Sequence, residues 1–228
     1  KNQISYNEKL RWSTYGLEAA LNLGDYEETE KLIAYSERFI GRVKDSNLIA
    51  ENQRTIARID AVEFRYAKAS ERLTWVIAYY YKRNNLNGYC LAKVNLAEYY
   101  RIIGKFDLGM RHLTEVLQFK DQIREEIICN AYHRLAAIEA EGYKDFKKVI
   151  EFSNKALEIS EKNGYLIHMA TSYVELGSAY NRLDKKRCIE YFNRAYEIFK
   201  RIKAHHSEAN VLTHLTSYYF DNGFLNPA

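Results

Sequence analysis

Aromatic residues stand at Tyr26, Tyr66, Phe106 and Phe146, each 40 residues after the last. A second register keeps step with them. Small or β-branched residues recur at Ser36, Val76, Val116, Ala156 and Ala195, at spacings of 40, 40, 40 and 39. Two registers at one period mark a tandem array, here five repeats and part of a sixth. Such a chain folds by stacking copies of one supersecondary unit, because no single copy can bury its own apolar face. Each of the four aromatics follows a pair that turns or ends a helix: Gly24-Asp25, Phe64-Arg65, Gly104-Lys105 and Lys144-Asp145.

Within the repeats the apolar spacing is helical. Leu113, Val116 and Leu117 share one face, as do Val149, Ile150, Ser153 and Leu157. Helix-stopping chemistry separates these segments at Asp45-Ser46-Asn47, Asn84 to Gly88, Lys120-Asp121, Asn163-Gly164 and Ala204-His205-His206. The 228 residues hold 10 Gly and one proline, Pro227, so no interior position is forced to break a helix. An all-β sandwich or a glycine-looped nucleotide fold would need more punctuation than that. The expected class is all-α.

The content of the repeats points to a family. Tyr173-x2-Leu176-Gly177-x2-Tyr180, followed by Cys188-x3-Phe192-x2-Ala195, resembles the tetratricopeptide repeat (TPR) signature. That signature has a large residue, Leu-Gly and an aromatic on a first helix, then a small residue, an aromatic and Ala on a second. Here Tyr replaces the usual Trp, and Cys the usual first Ala. Weaker copies are Lys93-x2-Leu96-Ala97-x2-Tyr100, Tyr132-x2-Leu135-Ala136 and Leu212-x2-Leu215-Thr216-x2-Tyr219. The repeats around Gly16-Leu17 and Ile56-Ala57 diverge most. The resemblance implies a right-handed α-solenoid of helix-turn-helix repeats forming a single domain over residues 1–228. Its repeats would run near 7–45, 46–85, 86–121, 122–164 and 165–204, with a partial one at 205–228. A period of 40 rather than 34, without closing prolines, is similar to the long repeats of bacterial signalling and regulatory proteins. These include the Rap, NprR and PlcR group of peptide-pheromone receptors, and sensor regions joined to cyclase, kinase or DNA-binding output domains.

The charge pattern narrows the partners. The 34 Lys+Arg are interleaved with 30 Asp+Glu, a net charge of +4, with no block of five or six like charges. This argues against nucleic acid as a partner of this segment, which would call for a basic stripe. No apolar stretch approaches the roughly 18 residues of a membrane span. Cys90, Cys129 and Cys188 are odd in number and sit in helical patterns, as expected of packed thiols in a reducing cytoplasm. The chain starts without Met, and a first-helix pattern near Asn210 to Phe220 has no second helix before Ala228. Both features read as a fragment of a longer protein, from which a targeting segment could have been removed.

By the same resemblance, first helices line a concave groove that takes a peptide or protein segment. Residues one turn from the buried Leu and small positions then face it. These are Arg54 and Arg58, then Asn95, Glu98 and Arg101, then Asn130 and Arg134, then Asn181 and Arg182, and last Asn210. Glu51, His133, Glu175, Ser178 and His214 share those faces. The asparagines can each donate and accept toward a peptide backbone. The arginines can clamp carboxylates bidentately, favouring an acidic partner or a free C-terminus. The same pattern is also what any solvated helix face carries, and Arg54 and Arg58 are a like-charge pair four apart.

Other chemistry finds little support. His205-His206 with Glu208, or His112 with nearby acids, lack His-x3-His or Cys-x2-Cys spacing, so no metal is expected. The three cysteines show no base at helical spacing. Tyr79-Tyr80-Tyr81 reads as one buried and two half-buried rings, or as a partner patch. No nucleophile elbow, P-loop or dinucleotide fingerprint occurs, and neither a cofactor nor an enzyme is expected. The reading is a non-catalytic binding scaffold, the sensing part of a signalling or regulatory protein. The alternative is an oligomerisation or sensor module coupled to a separate output domain, its own partner being a second copy.

Overall fold

The computed structural model describes residues 4–221, and those residues contain α-helices and no strand. Helices α1 (Tyr6–Leu23) and α2 (Tyr26–Glu37) form the first hairpin. They are followed by α3 (Ser46–Val62) with α4 (Tyr66–Lys82), and by α5 (Leu86–Ile102) with α6 (Phe106–Leu117). Next come α7 (Glu125–Ile138) with α8 (Phe146–Asn163), α9 (Leu166–Leu183) with α10 (Lys185–Arg201), and α11 (His205–Asp221). Pro227, the one proline of the chain, lies outside the described residues.

The 40-residue register is written in the backbone. Gly24, Phe64, Gly104 and Lys144 all adopt the left-handed conformation, with φ of 70°, 62°, 74° and 59°. Each sits just ahead of a second helix, so the four periodic aromatics are the first residues of α2, α4, α6 and α8. The first turn shows the device: the amide of Asp25 donates to the carbonyl of Ala20 at 2.9 Å and that of Gly24 to Leu21 at 3.2 Å. Those bonds occupy carbonyls that the end of α1 would otherwise leave orphaned. Asp25 and Asp145 then cap the next helix, accepting from the amides of Glu28 at 3.0 Å and Lys148 at 3.2 Å. In the fifth hairpin Asp184 ends α9 with φ −151° and caps α10 itself. That turn has no left-handed residue, which accounts for the single 39-residue spacing.

The second register is the packing one. Ser36, Val76, Val116, Ala156 and Ala195 are all fully buried, one on each second helix. Two compact units divide the chain between Tyr99 and Tyr100, inside α5. In the first, α1 packs on α2 and on α3, and α3 on α4. Its core joins Leu17, Ile33, Ile56 and Ile59. In the second unit, packing runs from α6 to α11 along the chain, and α7 also meets α9. One of its cores gathers Tyr173, Leu176, Phe192, Phe199, Val211 and Leu215. A π-helical turn, Glu139–Tyr143, separates α7 from Lys144.

Candidate functional site

Small residues leave a gap in the second unit. Ala136, Ala137 and Ala140 on one side face Ser178 and Ala179 of α9 on the other, over Phe146 and Val149 of α8. Side chains this short cannot close the space between two first helices, and a trough of about 590 Å³ remains. Its floor is apolar. Its charged groups are Lys144, Glu175 and Arg182.

Glu175 is already engaged. Its carboxylate lies 2.9 Å from Nδ1 of His133 and accepts a 2.8 Å hydrogen bond from Ser153 Oγ. Lys144 and Arg182 are exposed and have no ion-pair partner among the described residues. The trough therefore offers apolar contact below and two uncommitted cations at its edge. That combination recognises an apolar group carrying an anion.

Behind Glu175 lies a polar cluster that the sequence reading missed. Spacing assigns His133 to the groove face, yet only 6% of it is exposed. Its spacing is right for the first helix, but the carboxylate of Glu175 draws the ring inward. The expectation that no cysteine has a base at helical spacing also fails. Cys129 Sγ lies 3.6 Å from His133 Nε2, one turn along α7. Burial first, then Glu175 and Glu126, push the Cys129 thiol up to about 12. The ring of His168 lies 5.5 Å from that of His133, centroid to centroid. Cys129-x3-His133 was the signal to find, since i,i+4 ligands share a helix face whether the first is Cys or His.

The remaining predicted residues divide by unit. In the first, Arg54 and Arg58 on α3 and Asn95 and Glu98 on α5 are half-buried. Arg54, Arg58 and Glu98 all act electrostatically on Tyr99, whose buried hydroxyl has no hydrogen-bond partner among the described residues. Burial pushes the Tyr99 phenol well above its ordinary value, while Arg58 and Arg54 pull it back. In the second unit, Arg101 is ion-paired with Glu141. Asn130 donates to the Glu126 carbonyl of its own helix at 2.9 Å. Arg134 is half-buried on α7, Asn181 lies on α9 with its oxygen 3.9 Å from the Cys188 thiol, and Asn210 is exposed on α11. Arg182 is the predicted residue that the structure brings to the trough, beside Glu175 and Ser178. The tyrosine run holds a buried Tyr80, a half-buried Tyr79 and an exposed Tyr81. His205 pairs with Glu208 at 3.5 Å.

No family model matches the chain, and no curated protein matches it in sequence. Solved structures do. A crystal structure of nearly identical TPR-like repeats from Podosopora anserina superposes with a TM-score of 0.66 at 17% identity, covering 89% of this chain and 100% of that one. BtubC (BKLC) from P. vanneervenii covers 99% of this chain and 96% of its own, at 15% identity and a TM-score of 0.59. A Rap protein complexed with competence and sporulation factor covers 96% of this chain and 77% of its own, at 10% identity and 0.63. The chain has the TPR-like repeat fold.

In that fold α1, α3, α5, α7, α9 and α11 are first helices and the intervening ones second helices. The Leu-Gly of the signature has a visible purpose. A Cβ on Gly177 of α9 would stand 2.7 Å from the ring of Phe192 on α10, so only glycine admits this approach. Among the described residues no helix is long and apolar enough to cross a membrane.

Proposed function

We propose that this TPR-like chain is a non-catalytic module that binds a protein or peptide segment, and that the segment docks in the trough beside Arg182. The observation that carries this is the pair of uncommitted cations, Lys144 and Arg182, over an apolar floor whose own carboxylate is already held by His133 and Ser153. A volume near 590 Å³ suits a few side chains. The preferred ligand carries an apolar side chain next to a carboxylate, either acidic or C-terminal. Arg54, Arg58, Asn95 and Glu98 form a contact surface in the first unit. Asn181, Arg134 and Asn210 extend the one in the second. Asn130 and Arg101 contribute less directly, because their donors are engaged within the protein.

The chain works as one repeat domain, in a reducing cytoplasm where the buried Cys90, Cys129 and Cys188 form no disulfide. It senses a ligand for a signalling or regulatory protein. The likeness in fold to a Rap protein solved with competence and sporulation factor supports that direction.

The test is fluorescence polarisation with short labelled peptides, acidic or neutral, each with a free or an amidated C-terminus. Peptides with the carboxylate should bind, and Lys144→Glu with Arg182→Glu should weaken them at least tenfold. Equal binding by wild type and variant removes the trough from the site. A second reading, self-association, rests on α11, where Leu212, Tyr219 and Phe220 are exposed beside a buried Leu215. Binding no peptide while sedimenting as a concentration-dependent dimer would favour that reading.

A further inference from the structure

Cys129, His133 and His168 place one ligand atom each within 4.8 Å of one another, in a setting that is mostly buried. Two helices bring them together. Cys129 and His133 are one turn apart on α7, and His168 stands in the first turn of α9. The Cys129 Sγ to His133 Nε2 distance is 3.6 Å. Zinc bonds of about 2.3 Å to sulfur and about 2.0 Å to nitrogen, at a tetrahedral angle, set those two atoms about 3.6 Å apart. All three ligand atoms lie within 4.8 Å of one another, and tetrahedral coordination sets such atoms about 3.3–3.6 Å apart, so a shift of about 1.5 Å or less closes the site.

The second observation is the carboxylate behind the histidine. His133 bonds Glu175 through Nδ1, which keeps the proton on that side and leaves the Nε2 lone pair facing Cys129. Ser153 in turn fixes Glu175 with its hydroxyl at 2.8 Å. Carboxylate to imidazole to ligand position is the arrangement that orients a metal-binding histidine and raises its basicity. A plain structural network has no need of a third ligand, and His168 makes no hydrogen bond among the described residues. One thiol and two imidazoles select a borderline-soft divalent ion over magnesium or calcium.

We propose that Cys129, His133 and His168 form a zinc site, with Glu175 and Ser153 orienting His133 and water, or Glu126 one turn before Cys129, completing the coordination. Bound there, the ion ties α7 to α9, and Glu175 links it to the wall of the trough. The site stands whether or not the trough takes a peptide.

The experiment is cobalt(II) titration of the full chain after chelation, followed by visible and near-ultraviolet absorption and then displacement by zinc. The expected result is one cobalt per chain, with tetrahedral d–d bands and a thiolate charge-transfer band that zinc abolishes. Cys129→Ser should remove the charge-transfer band. His168→Gln, which disturbs no hydrogen bond and can be checked for folding by circular dichroism, should weaken binding strongly. Glu175→Gln should weaken it about 10–100-fold. Zinc should also raise the melting temperature of wild type and leave that of His168→Gln unmoved. Equal cobalt binding by wild type and His168→Gln, or a spectrum without the thiolate band, overturns the proposal and leaves a hydrogen-bonded network alone.

Discussion

Each unit builds a polar cluster around one carboxylate, Asp60 buried and Glu175 19% exposed at its side chain, and the two clusters end differently. In the first, Asp60 of α3 is 3% exposed at its side chain and takes a guanidinium on each oxygen. Arg65 reaches one at 2.8 Å and Arg72 the other at 2.9 Å. Arg65 continues to Glu30 at 3.0 Å, and Arg72 to Gln53 at 2.7 Å and Glu37 at 3.4 Å. Every strong group there meets another, so the cluster staples α2, α3 and α4 and stops. In the second unit Glu175 meets a hydroxyl and an imidazole instead of two guanidiniums. An imidazole passes the interaction on, because its second nitrogen faces away toward Cys129 and His168. A carboxylate closed by arginines is a staple. One closed through a histidine leaves a ligand atom over, and here it also walls a trough.

The sharpest way to break that contrast is to remove each carboxylate in turn. Asp60→Ala leaves two partly buried guanidiniums facing each other and should cost about 3 kcal/mol. Glu175→Gln keeps an acceptor for Ser153 and for His133 Nδ1, and should cost about 1 kcal/mol. Urea unfolding of the two variants measures the difference. Equal losses would mean that both clusters are staples.

The second contrast concerns glycine. Gly177→Ala drives a Cβ to 2.7 Å from the Phe192 ring and should cost about 1–3 kcal/mol through overpacking. Gly104→Ala, with φ of 74° and nothing within 4 Å, meets only the left-handed penalty of about 1 kcal/mol. Phe64 already carries that penalty at the equivalent turn, at φ 62° and 79% exposed. Phe64→Gly should therefore gain about 1 kcal/mol. Thermal melts rank the three. A destabilised Phe64→Gly would show that the exposed ring contributes more than its edge contact with Tyr66 at 6.3 Å implies.

These positions also show what the sequence could reveal. The registers at Tyr26, Tyr66, Phe106 and Phe146 and at Ser36 to Ala195 were legible because packing repeats wherever the turn repeats. A tandem helical array followed from them, and the TPR-like fold from the resemblance of Tyr173 to Ala195 to that family's signature. The trough was half legible: Arg182, Glu175 and Ser178 lie on one face by spacing. Lys144 was not, because a π-helical turn that the pattern does not announce places it there. The His133 cluster escaped because Ser153, His168 and Glu175 come from helices up to 42 residues along the chain, and the spacing on one helix does not show what a neighbouring helix brings to it. Arg101 and Asn130 were spaced for the groove, yet nearer partners within the protein hold them.

The smallest expected effect lies at the end of the second unit's core. His214 stacks on Phe192 with centroids 4.9 Å apart and planes 4° from parallel. Burial lowers its pKa below 6.5, with no carboxylate opposing the shift. The sign follows from which state holds the proton. Below pH 6.5 the unfolded chain takes up a proton that folded His214 resists, so stability falls as pH drops from 6.5 toward the folded value. Beneath the folded value both states are protonated and the loss stops growing. His168 has the same sign and the same first cause, so His214→Gln should remove only part of the slope. Urea midpoints of wild type and variant from about pH 7.5 to about pH 5 measure it, and their difference cancels the carboxylates common to both. A difference that stays constant across that range would mean the ring is open to water in solution. The α10–α11 contact would then be looser than the core that Phe192 makes with Gly177.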